Sequence, residues 1–187
     1  MMRCLVGGRR PIIRPSLPAP CPMEPLKYLA GYPPHLHQRV HDLLAEGRLG
    51  TMLAEKYGEA HRVRNDGQLY EYVQDIKERY MRKAPPLGKV LYDSKLQVVK
   101  HALGTHTTMS RVQGAKLRTF REIRIATVFR DAPAEFLKMI AVHELAHMKE
   151  ADHDKAFYQL CTHMAADYHQ LEFDTRLYLT HLEAKPR

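Results

Sequence analysis

Hydrophobic residues first recur at helical spacing over residues 34–50, where Leu36, Val40, Leu43 and Leu44 form one stripe and Gly47 and Gly50 supply stop signals. Residues 57–67 are polar and punctuated by glycine, which predicts a loop. A second amphipathic helix is expected over 68–81, with Leu69, Tyr72, Val73, Ile76 and Tyr80 turned inward, and Ala84-Pro85-Pro86-Leu87-Gly88 ends it. Beyond Gly88 the period changes from 3.6 to 2. Residues 90–92, 96–99, 107–112 and 122–129 are β-branched or alternating; Gln113-Gly114 suggests a hairpin turn, and Ile123, Ile125 and Thr127 share one face. This predicts a small, mostly antiparallel sheet of three or four strands. Asp131-Ala132-Pro133 with Glu135 then starts a helix, and a closing helix is expected over 170–182, with Leu171, Phe173, Leu177 and Leu179 inward. The succession of helices, sheet and helices gives an α+β fold.

The helix after the sheet carries the chemistry. Phe136, Met139, Ile140, His143, Ala146 and His147 follow the i, i+3, i+4, i+7 rule, so both histidines lie on its apolar stripe. Residues four apart on a helix are about 40° apart around the axis and about 6 Å along it, so His143 and His147 can present two imidazoles to one ion. Glu144 lies off that axis and reaches a metal-activated water without taking a coordination position, which is the task of a general base. The pattern His143-Glu144-Leu145-Ala146-His147 is thus an HExxH hydrolase motif. An apolar stripe rarely carries two imidazoles and a carboxylate without a partner for them.

Three protein ligands and an open fourth position describe a catalytic zinc site, so a third ligand is needed. In an unbroken helix His153 would lie about 15 Å beyond His143; the helix must break if His153 is to join. Asp152 and Asp154 are both good N-caps, and a turn near Glu150-Ala151 with a new helix starting around Asp152 would swing His153 back. Lys155, Ala156, Phe157, Leu160, Cys161 and Met164 continue a helical pattern. Glu172, His163, His169 and water are the alternative ligands. Tyr158 and His163 are candidates to hydrogen-bond a developing oxyanion.

The run VHELAHMKEADHDKAFYQL resembles the YgjP-like metallopeptidase domain, whose core motif is HELxHxxxxxHxxxF. Similarity continues through YLAGYPPHLHQRV, KERYMRKAPPLGKVLYD, THTTMSRVQGAKL, REIRIATVFRDAP and HQLEFDTRLYLTHL, from about residue 27 to 184. The resemblance implies a zincin-like domain in which His143, His147 and His153 hold one zinc, or another divalent ion, and Glu144 is the catalytic glutamate. It implies attack of metal-activated water on a peptide bond, and in zincins the last strand of the sheet lies beside the cleft and pairs with an extended substrate. An alternative activity associated with bacterial members is pyrophosphatase action on UTP, giving UMP and diphosphate. The chain departs from many members in having Met109-Ser110-Arg111-Val112-Gln113-Gly114 where they carry Trp-Gly-Ser-Cys-Ser.

Composition narrows the setting. Residues 1–22 hold four Arg, no acid and five of the 12 Pro, a composition that builds no packed core; they read as a disordered tail, with the hydrolase domain over 23–187 and Met23 as an alternative start. Three cysteines without a CxxC pair suit a reducing cytoplasm, and no stretch approaches a membrane span. Residues 100–130 carry seven basic residues against Glu122 alone. Such a sheet either attracts phosphates, as of a nucleoside triphosphate, or an acidic substrate, or it guards an edge strand; Arg111 and Arg124 are the candidate substrate contacts. A third reading, a noncatalytic module that binds nucleic acid, lacks an aromatic-interleaved basic stripe and a zinc ribbon. Oligomeric state is not legible.

Overall fold

The computed structural model describes the backbone of residues 26–96, 104–113 and 116–185 and the side chains of 26–96 and 121–185. The tail over 1–22, residues 97–99 of the strand expected over 96–99 and the turn residue Gly114 lie outside the described residues. A 3-10 turn at Lys27–Leu29 leads into α1 (Pro34–Ala45), α2 (Arg48–Tyr57) and α3 (Asp66–Tyr80). The sheet follows as β1 (Leu87–Asp93), β2 (Gly104–Gln113) and β3 (Lys116–Ala126). A 3-10 turn at Thr127–Asp131 then precedes α4 (Ala134–Ala146), α5 (Lys155–Met164) and α6 (Tyr168–Ala184). The α+β class is as expected. No helix among the described residues is long and apolar enough to cross a membrane.

Three local expectations change. The first helix is two, because Gly47 adopts a left-handed conformation (φ 67) that turns the chain between α1 and α2. Gly50 is not a stop signal but an interior residue of α2, where a β-carbon would collide with the imidazole of His181 on α6. The last strand stops at Ala126 rather than at Phe129. The residues after it coil into a 3-10 turn that buries Phe129.

The sheet is mixed rather than mostly antiparallel. Its order is β1-β3-β2, with β3 antiparallel to β2 but parallel to β1. The hairpin returns β3 between its two predecessors, so β1 and β2 never pair and β3 takes the same direction as β1. This also corrects the expected substrate strand. Over Arg121–Ile125 both edges of β3 are engaged, by β1 on one side and β2 on the other, so this part of the last strand is central and offers no free edge to a substrate. The edge strands are β1 and β2.

Position of the metal motif follows from one stitched point. Ala60 bridges to Pro133, the His61 amide donates to the Ala132 carbonyl at 3.2 Å, and the His61 imidazole donates from Nε2 to the Phe129 carbonyl at 2.7 Å. Arg64 donates to the Arg130 carbonyl at 2.8 Å and pairs with Asp131. Asn65 caps α3 by accepting from the Gln68 amide, and Asp66 accepts from the Tyr92 amide at 2.9 Å. Helices α3 and α4 therefore begin near one point, and Tyr72, Ile76 and Arg79 of α3 share a hollow with Lys138 and Val142 of α4. Every residue of α4 from Phe136 to Ala146 except Lys138 is buried; this helix is enclosed by its neighbours rather than amphipathic, as a wholly apolar surround requires.

Helix α6 closes the far side. Buried Asp174 accepts from Lys56 at 2.6 Å, from Gln170 at 3.0 Å and from the Tyr57 hydroxyl, joining α6 to α2. The close approach at Gly50 is part of that junction. Gly50→Ala gains up to ~1 kcal/mol of helix propensity but overpacks the contact with His181 at ~1–3 kcal/mol. Chemical denaturation is expected to show net destabilisation in the wild-type background and a reversal of sign in a His181→Ala background.

Candidate metal centre

Helix α4 ends at the second histidine of its motif. His147 is the C-cap, and residues 147–149 form a turn instead of the next helical turn. Asp154 then caps α5, accepting from the Phe157 amide at 2.9 Å. The break falls three residues earlier than expected and the new helix starts slightly later, but the consequence is the one required: His153 folds back over the end of α4. His153 Nε2 lies 2.9 Å from His147 Nε2 and 3.3 Å from His143 Nε2. Among the described residues these three form a group whose ligand atoms all lie within 4.8 Å of one another. Ligands on a tetrahedral ion at 2.0–2.1 Å stand about 3.3–3.4 Å apart, so the donor set fits such an ion with small adjustments.

Each ring is held by something other than an ion. His147 Nδ1 donates to the Glu150 carbonyl at 2.9 Å; a carbonyl only accepts, so the proton sits on Nδ1 and the Nε2 lone pair faces the cluster. His143 Nδ1 lies 2.7 Å from the hydroxyl of Tyr168, which is 0 % exposed. A phenol oxygen can accept from His143 Nδ1–H, which leaves the Nε2 lone pair facing the cluster as in His147. Phe157 forms the floor, with ring centroids 5.1, 4.6 and 4.7 Å from those of His143, His147 and His153. Burial lowers the His147 pKa below its ordinary value, which favours the neutral, ligating form.

Glu144 is 1 % exposed, and burial pushes its carboxyl up to about 8. Residues considered as other ligands lie elsewhere. Glu172 accepts from Arg176 at 2.7 Å, and His163 packs edge-on against Tyr80 with centroids 5.5 Å apart. Tyr158 is nearer, its ring 6.4 Å from that of His153. Arg124 donates to Asp93 at 2.9 Å and to Glu122 at 2.7 Å, so two carboxylates already neutralise its guanidinium. Arg111 pairs with Arg118 in the backbone ladder of the hairpin; its side chain lies outside the described residues.

Sequence reasoning missed two supports. Phe157 stands in the family motif, four residues after His153, but nothing in its residue type announces a floor shared by three imidazoles. Tyr168 follows the motif by a further eleven residues and carries no local signal at all.

A family model described as "YgjP-like, metallopeptidase domain" matches residues 54–175. A protein named UTP pyrophosphatase from Escherichia coli (strain K12) is 58% identical over 160 residues, covering 86% of this chain and 96% of that protein. No solved structure matches the chain.

Two outcomes follow from the geometry. Tyr168→Phe removes the acceptor for His143 Nδ1–H, and metal affinity, measured by competition with a chromogenic chelator, is expected to fall on the order of 10- to 100-fold. In the metal-free protein the raised Glu144 pKa favours the protonated fold. Its contribution is complete below about 4.5 and is lost as pH rises towards about 8. The lowered His147 pKa acts in the opposite sense in both proteins, so the difference in unfolding free energy between wild type and Glu144→Gln isolates the glutamate. That difference is expected to shift against the wild type across this window.

Proposed function

The chain belongs to the YgjP-like metallopeptidase domain family, and from that premise we propose that it is a zinc-dependent hydrolase that cleaves UTP to UMP and diphosphate at the three-histidine centre. The observation that carries this reading is the 58% identity, over 96% of its length, to a protein named UTP pyrophosphatase. A shared fold alone does not fix a substrate; identity at this level across nearly the whole chain favours a shared reaction.

His143, His147 and His153 would hold the ion through Nε2. When bound, Zn²⁺ supplies Lewis acidity to the phosphoryl oxygens and lowers the pKa of water to about 7. Glu144 takes a proton from the attacking water and delivers one to the leaving group. The water oxygen bonds to the α-phosphorus, the bond from that phosphorus to the bridging oxygen breaks, and the bridging oxygen leaves with the diphosphate. Glu144 is 1 % exposed, so the protons it exchanges come from groups inside the site rather than from bulk water. Tyr168 and the Glu150 carbonyl keep the first two rings turned with Nε2 inward. Arg111 is a candidate contact for the anion; Arg124, engaged by Asp93 and Glu122, acts as a strut between β1 and β3.

A peptidase reading is favoured by the description of the family model. The same residues would then direct water onto a peptide carbonyl, and the substrate strand would align with the edge strand β2 rather than with β3.

Glu144→Gln is expected to retain the metal, measured by atomic absorption, and to lose 10²- to 10⁴-fold in turnover, about the contribution of a positioned general base. A screen of nucleoside triphosphates and casein, with and without chelator, separates the substrates. UTP consumption with diphosphate release, abolished by chelator and with casein intact, is the expected result; casein cleavage with UTP untouched would replace it with the peptidase reading.

A further inference from the structure

The imidazole at the root of α4 is bonded in a way that leaves no room for a second proton. His61 is 8 % exposed. Its Nε2 lies 2.7 Å from the Phe129 carbonyl, and the Val63 amide reaches its Nδ1 at 3.1 Å. A carbonyl only accepts and a backbone amide only donates, so the proton sits on Nε2 and Nδ1 offers a lone pair. The ring is therefore neutral, with both nitrogens engaged. A proton added at Nδ1 sets two donors face to face and breaks the bond from Val63.

The surroundings give an imidazolium little in exchange. The charged groups that act on His61 are Arg64 of its own loop and Asp131 of the 3-10 turn before α4, and these two pair with each other. Arg130 of the same turn lies with its guanidinium 5.5 Å from the centre of the Tyr92 ring on β1, and the Tyr92 hydroxyl donates to the Val63 carbonyl at 2.9 Å. Burial holds the His61 pKa below the ordinary histidine value. A charged ring with neither a free carboxylate nor solvent around it has to leave its seat. The bond to the Phe129 carbonyl goes with it.

That seat is where α4 begins. The His61 amide donates to the Ala132 carbonyl at 3.2 Å and Ala60 bridges to Pro133. The Pro133 carbonyl in turn accepts from the Phe136 and Leu137 amides, at 3.1 and 3.3 Å, in the first turn of α4.

We propose that His61 is an acid-sensitive latch on the helix that carries the metal motif. Neutral, it ties the loop before α3 to the turn before α4; on taking a proton from solvent at Nδ1, it lets go of both. The latch is independent of which substrate the metal centre takes. Its contribution to stability is complete above about 6.5, the ordinary histidine value, and is lost as pH falls below it, because the unfolded chain takes up a proton that the folded chain refuses.

The test compares denaturant unfolding of the metal-free full-length protein between wild type and His61→Gln, from about pH 7.5 down to about 4.5. Glutamine keeps an N–H donor and an acceptor but has nothing to titrate, and the other histidines cancel in the ratio. The folding constant of wild type relative to the variant is expected to be level above about 6.5 and to fall up to ~10-fold per pH unit below it. A ratio that stays level throughout overturns the latch. Native-state hydrogen exchange of the Phe136 and Leu137 amides, again wild type relative to variant, should accelerate over the same window; unchanged relative exchange overturns the hold on α4. If the variant fails to fold, nuclear magnetic resonance of the wild type decides. A ¹⁵N–¹⁵N coupling across the bond from the Val63 amide to His61 Nδ1 is expected at neutral pH and should vanish as the ring protonates. No coupling at neutral pH, or a Val63 amide indifferent to the ring's protonation, overturns the proposal equally.

Discussion

Three imidazole nitrogens aimed at one point are the constraint on which the rest of the molecule depends. With Nδ1 of His147 committed to the Glu150 carbonyl and Nδ1 of His143 committed to Tyr168, the inward Nε2 atoms carry lone pairs, and they stand 2.9 and 3.3 Å from Nε2 of His153. Lone pairs at that separation repel unless a proton or a cation sits between them. The geometry is therefore unfavourable as a packing motif and sensible as a receptor for a positive ion. Its setting sharpens the point. Glu144 and His143 are 1 % and 4 % exposed in a helix whose other inward positions are Phe, Leu, Met, Ile, Ala and Val, and groups of this polarity are tolerated at such depth only when something compensates them.

The fold answers that constraint with rigidity at both ends of α4. Its first residue is anchored where Pro133 and Ala132 meet the backbone of Ala60 and His61. Its C-cap, His147, brings an imidazole to the cluster at the very position where the helix stops. The chain then needs only the turn over 147–154 to bring His153 back before Asp154 nucleates α5. Phe157, in the first turn of α5, packs against all three rings, so the imidazoles are held by hydrophobic packing as well as by hydrogen bonds.

Much of this was legible in the amino-acid order. The spacing of His143, His147 and His153, the aspartates that can cap a second helix and the glutamate beside the first ligand are local features, and local features survive without knowledge of tertiary contacts. The β1–β3 pairing was not legible, because strand order depends on which edge a hairpin returns to, and periodicity is blind to that choice. Gly50 was misread for a related reason: a glycine that permits helix contact looks the same in sequence as one that ends a helix, and only the position of His181 distinguishes them. Tyr168 was invisible as a participant, because it reaches His143 across 25 residues of chain.

All three ligands being neutral side chains has an electrostatic consequence. Carboxylate or thiolate ligands would cancel part of a divalent ion's charge before any substrate arrived; imidazoles cancel none of it. The centre built by His143, His147 and His153 would leave both positive charges of the ion exposed to whatever enters, tempered only by Glu144 and by the negative end of the α4 dipole. Such a centre discriminates by charge before it discriminates by shape: a polyanion is drawn to it over a long range at low ionic strength, whereas an uncharged amide gains little until it is in contact.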